Sequence, residues 1–295
     1  MPSEELHPPR ALGTLVGAAL TLWCFAFAGV LLWRGLTLPI DLPALGPYLA
    51  SAFFLVLGSL FGYWTYGCLT LRYYLDRNGL TIHWGDIRQL IPMDRIERLV
   101  PGRERDPPRV TGVSWIGHHI GHGEVEGLGN VIFYATHRSH EELLYIVTPE
   151  QTYGVSVPNE VRFAEDLQGF QKLGALVSLP QVTERTSLAA QPFWHDTLAQ
   201  GLALASFFMF AAVLGYVYHN YPGLPDSIPL EYTSLGFGDK RDLLMIPTTG
   251  VGLLAINLGL GFVLHAWERA VGYLLFLAAI GAQIILLAAA IITLN

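Results

Sequence analysis

The sequence predicts an α-helical integral membrane protein with five transmembrane helices and a β-rich domain inserted after the second. Three observations predict it. Five long apolar runs are interrupted once by a polar stretch long enough to fold alone. Tryptophan and tyrosine gather at the ends of those runs, as at Trp33, Tyr48, Trp64, Trp194, Tyr218 and Trp267, where aromatic belts meet headgroups. Hydrophobic residues make up 52% of the chain against 14% charged, so little charge remains outside the polar stretch.

The runs are Ala11–Trp33, Tyr48–Leu71, Thr197–Tyr218, Leu243–Leu264 and Ala270–Leu294. Each has about the 20 residues that a helix rising ~1.5 Å per residue needs to cross a ~30 Å hydrocarbon core. Their polar groups are uncharged (Thr14, Ser51, Asn257 and Gln283 among them) and can bond within a helix or to a neighbour. Gly13-x-x-x-Gly17 and Gly58-x-x-x-Gly62 give the first two helices small faces for close packing. The organisation is therefore a helix pair over 1–71, a soluble domain over 72–191 and a three-helix region over 192–295 whose 219–242 segment is a Pro-rich loop.

Orientation follows from the basic residues. With the insert inside, fourteen lie inside and Arg34, Lys240 and Arg241 outside. The expectation is a multi-pass protein of the bacterial cytoplasmic (inner) membrane, with N-terminus and insert cytoplasmic and C-terminus extracytoplasmic. The apolar run after MPSEELHPPR is too long for a signal h-region and lacks a cleavage-like end, so no signal peptide is expected. Cys24 and Cys68 both fall inside spans, which argues against a structural disulfide.

The insert opens with strands. Arg72–Arg77 and Leu80–Trp84 flank Asn78-Gly79, a dipeptide suited to a type I′ turn. Asp86–Pro92 reads as a third strand, and Met93–Val100 fits either a short helical turn or another strand. Pro101–Gly129, rich in Gly and Pro, reads as loop. Asn130–Thr136, Leu143–Thr148 and Tyr153–Val157 read as strands. Over Asn159–Leu176 the period changes: Phe163, Leu167, Phe170 and Leu173 form one apolar stripe, with Asn159 or a neighbour as N-cap.

Antiparallel strands closed by one amphipathic helix are the order of a pleckstrin-homology (PH)-like barrel. Tyr74-Leu75-Asp76-Arg77-Asn78-Gly79-Leu80-Thr81-Ile82, then Ile91-Pro92-Met93 and Ile96, resemble the opening of bacterial PH-like domains. Tyr153-Gly154-Val155-Ser156-Val157-Pro158-Asn159 leading into Phe163 and Leu167 resembles their ending. The resemblance implies an inserted β-rich PH-like barrel domain. A phosphoinositide site is not expected, because the first hairpin lacks a basic pair and Arg72–Asp196 holds 12 basic against 16 acidic residues. The same acidic balance leaves no nucleic-acid partner expected. Arg95, Arg98, Arg103, Arg105 and Arg109 are candidate contacts to anionic headgroups, for a domain tethered under a bilayer lies within reach of its field.

In the 219–242 loop, Leu224-Pro225, Ile228-Pro229, Glu231, Tyr232, Gly236 and Lys240 form a candidate outward recognition surface. The prolines fix φ and remove two donors, so the segment is extended. The Leu-Pro, Ile-Pro, Tyr, Gly and Lys of this set resemble a domain of unknown function found in Sdp-type immunity proteins, which implies protection from a secreted killing factor. Glu231 stands where that family usually has His.

Catalytic signatures are lacking in the sequence. His118-His119-x-x-His122-x-Glu124 matches no zinc spacing, His137-x-x-His140-Glu141-Glu142 reads as a polar hairpin tip, and Gly236-Phe237-Gly238-Asp239 lies in a loop. The expectation is a non-enzymatic protein without cofactor or metal that binds, senses or protects at the envelope. Its partners are the lipid bilayer and an envelope protein or peptide. A transporter or channel component lined by Asn257 and the glycines of the fourth span is the alternative.

Overall fold

The computed structural model describes residues 4–177, 179–229 and 237–294. Strand β1 (Glu4–Leu6) leads into helices α1 (Ala11–Thr37) and α2 (Leu45–Thr70). α1 ends at Thr37 and not at Trp33, and α2 begins at Leu45 and not at Tyr48 but stops at Thr70, just short of the predicted Leu71. Among the described residues, five helices are long and apolar enough to cross a membrane. Only 17–22% of the most apolar window of each is buried within the protein. Side chains such as Leu22, Val30, Leu204 and Ile285 therefore point outward, which suits lipid and not water.

One compact unit comprises Met1–Phe27 with Phe54–Ala190. Its first sheet has β2 (Arg72–Leu75), β3 (Gly79–Trp84) and β4 (Ile87–Pro92) between β1 and a late strand. The hairpin β2–β3 forms, but not through a type I′ turn: Gly79 has positive φ and Asn78 does not. Asp76 makes the turn instead, its carboxylate accepting from the N–H groups of Asn78 (2.7 Å) and Gly79 (3.0 Å). The 93–100 segment holds both alternatives in succession, a 3₁₀ turn at Met93–Arg95 and then β5 (Arg98–Pro101).

The stretch read as loop, Pro101–Gly129, contains two long paired strands, β6 (Arg109–Trp115) and β7 (His118–Val125). The glycines misled because here they serve close approach. Gly112 pairs with Gly121, both at positive φ, and a Cβ on either would strike a backbone carbonyl of the facing strand. There follow β8 (Gly129–Ala135), β9 (Leu144–Val147), β10 (Thr152–Val155), α3 (Glu160–Leu173) and β11 (Val182–Arg185).

The sheets run β1-β2-β3-β4-β11 and β5-β9-β10-β8-β7-β6 and do not close into a barrel. β4 gives its free edge to β11 rather than to β5, and β10 inserts parallel to β8. The core lies between the sheets: Tyr73, Leu75, Ile82 and Ile91 meet Ile146 and Val155, capped by Phe163, Leu167 and Phe170 of α3. Leu173 falls off that stripe and is exposed, because the helix stops there at Gly174 with φ +74°. Phe133, Tyr145 and Val131 form a second cluster, so central strands such as Leu144–Val147 are buried throughout and read as unbroken apolar runs.

The second unit comprises Ala28–Phe53 with Gln191–Asn295. It packs α4 (Thr197–Asn220), a hairpin of β12 (Ser227–Pro229) and β13 (Phe237–Asp239), α5 (Met245–His265) and α6 (Arg269–Leu294). Gln283, fully buried, donates from Nε2 to the Gly250 carbonyl at 2.9 Å and joins α6 to α5. Asp196 caps α4 at the Ala199 N–H (3.0 Å), accepts from the Tyr273 hydroxyl (2.5 Å) and lies 3.3 Å from His265 Nε2. One carboxylate thus ties the ends of three helices.

Candidate functional site

The five arginines singled out from the sequence are not gathered into one anion site. Arg95 pairs with Glu150 (3.8 Å), Arg103 with Glu160 (3.2 Å), and Arg105 donates to the Glu126 carbonyl (3.2 Å). Exposed ion pairs of this kind neutralise charge while adding little stability. Arg109 begins β6 beside Glu124, its register partner on β7.

Two of them, Arg98 and Arg103, line a groove of about 570 Å³ between edge strand β5 and helix α3. Its floor is apolar, from Leu99, Leu144, Ala164 and Leu167, and Glu160 and Gln168 add polar groups. Asn159 positions the helix by accepting the Arg162 N–H at 3.0 Å, and Gln171 Nε2 bonds the Ile96 carbonyl at 3.0 Å, which fixes the helix against the chain entering β5. An apolar trough with a mixed-charge rim can hold a non-polar segment and orient it through its ends.

His118, His119 and His137 serve packing. His118 is fully buried, its ring 4.7 Å from Trp115 and 6.2 Å from Trp84, and neither ring nitrogen has a hydrogen-bond partner among the described residues. Burial pushes its pKa down to about 4. His119 stacks on His137 at 4.0 Å and meets the Ser114 hydroxyl at 2.8 Å through Nδ1. Burial, with His119 and His140 nearby, takes His137 down to about 3. Among the described residues no three His, Cys, Asp or Glu side chains are grouped to hold a metal ion.

Trp115 joins this cluster to the first helix pair. Its indole N–H donates to the Gly13 carbonyl at 2.9 Å, and its ring lies near Phe61 and Trp64 of α2. A Cβ on Gly13 would strike Gly117, and one on Gly17 would strike Thr65 of α2 and crowd the Trp115 ring. The Gly13/Gly17 face thus seats both a helix and a hairpin tip.

In the other unit, the Pro-rich segment is only partly open. Ile228 is buried with Val217, Tyr221, Leu243 and Ala290, and Leu224 packs against that cluster. Pro225 is exposed, Pro229 is the last residue of β12, and Lys240 Nζ meets Asp226 at 2.8 Å. Glu231, Tyr232 and Gly236 lie outside the described residues.

Sequence reasoning missed Trp115 and His118 as a unit. The available signal was that residues 110–123 hold no Asp, Glu, Lys or Arg, which is unusual for an exposed hairpin.

Among known proteins, residues 71–170 match the family model described as a bacterial PH domain. The match begins at the end of α2 and runs to Phe170 of α3. No curated protein and no solved structure matches the chain.

Proposed function

We propose that this chain is a non-enzymatic protein of the bacterial cytoplasmic membrane that binds or senses through its PH-like domain and protects at the envelope. The observation that carries this reading is the open β5–α3 groove on a domain matching bacterial PH domains. The domain faces the cytoplasm, as the excess of basic residues around it favours. The Leu224–Lys240 segment faces outward as an immunity-like recognition element, in keeping with its likeness to Sdp-type immunity proteins. Ile228 and the Lys240–Asp226 pair hold its base, and Glu231 and Tyr232 make the contact with a peptide or another envelope component.

Polar groups in the spans favour packing over transport. Asn257 donates from Nδ2 to the Leu253 carbonyl of its own helix at 2.8 Å, and Gln283 is consumed by Gly250. The histidines, enclosed by aromatic rings, favour a structural part over a catalytic one.

Two measurements on the full chain test the proposal. Reconstituted in vesicles it should carry no solute flux, and flux abolished by Asn257→Ala would move the protein to the transporter class. Expressed in a sensitive bacterium, it should raise survival against secreted membrane-active peptides. Unchanged survival would end the immunity-like reading.

A further inference from the structure

The β6–β7 hairpin is an edge element that carries its apolar residue at the tip. Ile116 is 65% exposed there, between Trp115 and Gly117. β6 is the last strand of its sheet, and natural edges exposed to water are usually guarded by charge. This one is not: residues 110–123 hold no Asp, Glu, Lys or Arg. Only its base, at Arg109 and Glu124, is charged.

The tip's position follows from its contacts. Gly117 rests on the first turn of α1, beside Leu12 and Gly13. The Trp115 ring reaches deeper, to Gly17 and Phe61. Gly17 lies about 9 Å along α1 from Ala11, and Phe61 about 14 Å from the end of α2 at Thr70, at ~1.5 Å per residue. The two helices, of 27 and 26 residues, are about 40 Å long and overhang a ~30 Å hydrocarbon core by roughly 5 Å at each end. The indole therefore lies at or just inside the hydrocarbon boundary, and Ile116 lies at headgroup level.

We infer that the β6–β7 hairpin tip is inserted in the bilayer interface, with Ile116 among headgroups and glycerol and Trp115 as its anchor at the hydrocarbon boundary. The occupant of this exposed apolar surface is phospholipid, since the surface is continuous with the lipid-facing sides of α1 and α2. Indole rings favour this layer because one edge is polar and the remainder apolar. The inference rests on the reading of α1 and α2 as membrane spans.

The test uses spin labels on single cysteines in the full chain, with Cys24 and Cys68 replaced by Ala, reconstituted in phosphatidylcholine vesicles. Labels go at Ile116, at Thr111 on β6 about 16 Å up the strand, at exposed Val161 on α3, and at outward-facing Leu22 on α1. Collision with oxygen, which concentrates in lipid, is compared with collision with a water-soluble nickel chelate. The oxygen-to-nickel ratio should be several-fold higher at 116 than at 111 or 161, and highest at 22. A high ratio at 22 with equal values at 116, 111 and 161 overturns the inserted tip while sparing the spans. A low ratio at 22 removes the spans, and the inference with them. Ile116→Ser should leave the fold intact, because this side chain is 65% exposed and belongs to none of the buried clusters among the described residues. In that variant a label at Ser114 should become more accessible to nickel, and no change there would also count against insertion.

Discussion

Acid should loosen the junction between the PH-like domain and the first helix pair, and His118 should account for a definable part of the loss. In the folded protein the ring is enclosed by Trp84 and Trp115, with both nitrogens unpartnered among the described residues, and burial holds its pKa near 4. In the unfolded chain the value is about 6.5. The folded state therefore refuses a proton that the unfolded state accepts. Stability is complete above pH ~7, falls as pH drops through ~6.5, and levels near pH ~4. Integrating between those values gives a loss of about 2 kcal/mol from pH 7 to pH 5, and about 3 kcal/mol once the folded-state value is passed. His137, held near 3 by burial and by His119 and His140, acts in the same direction. His118→Phe keeps an aromatic ring in the slot and removes the titrating nitrogens. Urea unfolding of the full chain in detergent, followed by tryptophan fluorescence at a series of pH values, should show the variant losing about 2 kcal/mol less than the wild type between pH 7 and 5. Equal pH slopes for the two proteins would refute the assignment of this sensitivity to His118.

Gly13→Ala places a Cβ against Gly117 and should cost about 1–3 kcal/mol, read as proteolytic cleavage within 109–125 at lower urea than in wild type. Ile228→Ala should destabilise its unit by about 2–4 kcal/mol in thermal melts, because the side chain is buried in the α4–α5–α6 cluster, whereas Glu231→Ala and Tyr232→Ala should spare accumulation and reduce protection. Asp196→Ala removes a helix cap and the partner of Tyr273 and His265, and should lower the midpoint of the same melts. Cysteines at exposed Ser227 and Ser139, in a chain lacking Cys24 and Cys68, should be modified from outside intact cells only at 227. Modification at 139 alone would invert the orientation.

What the sequence made legible depended on periodicity. Helices of 21–27 residues with no charge in their interiors cannot be hidden, and a stripe such as Phe163, Leu167 and Phe170 announces its buried face. The family resemblance over the insert rested on strands β2, β3 and β10, where hydrophobic residues face one shared core. The hairpin β6–β7 was lost because Gly112 and Gly121 look like breakers unless the facing strand is known. Sheet closure was likewise not readable, since β4 meets β11 across nearly a hundred residues. The junction of Gly13, Trp115 and His118 draws on two membrane helices and a hairpin tip, and no local pattern joins residues that far apart.

One consequence concerns mechanics. Strands β1 and β2 are immediate neighbours, paired from Glu4↔Leu75 to Leu6↔Tyr73, yet the whole helix pair is threaded between them. The sheet thereby clasps both strands of chain that enter the membrane. A slide of α1 along α2 by one helical turn, about 5.4 Å, is not commensurate with the two-residue step of about 6.6 Å by which a strand can slip and keep its faces. Such a slide therefore loads the β1–β2 ladder through the short 7–10 connection on one side and directly through Leu71 on the other. Stretching or thinning of the membrane that acts on these helices would thus reach the sheet as strain on a three-residue ladder.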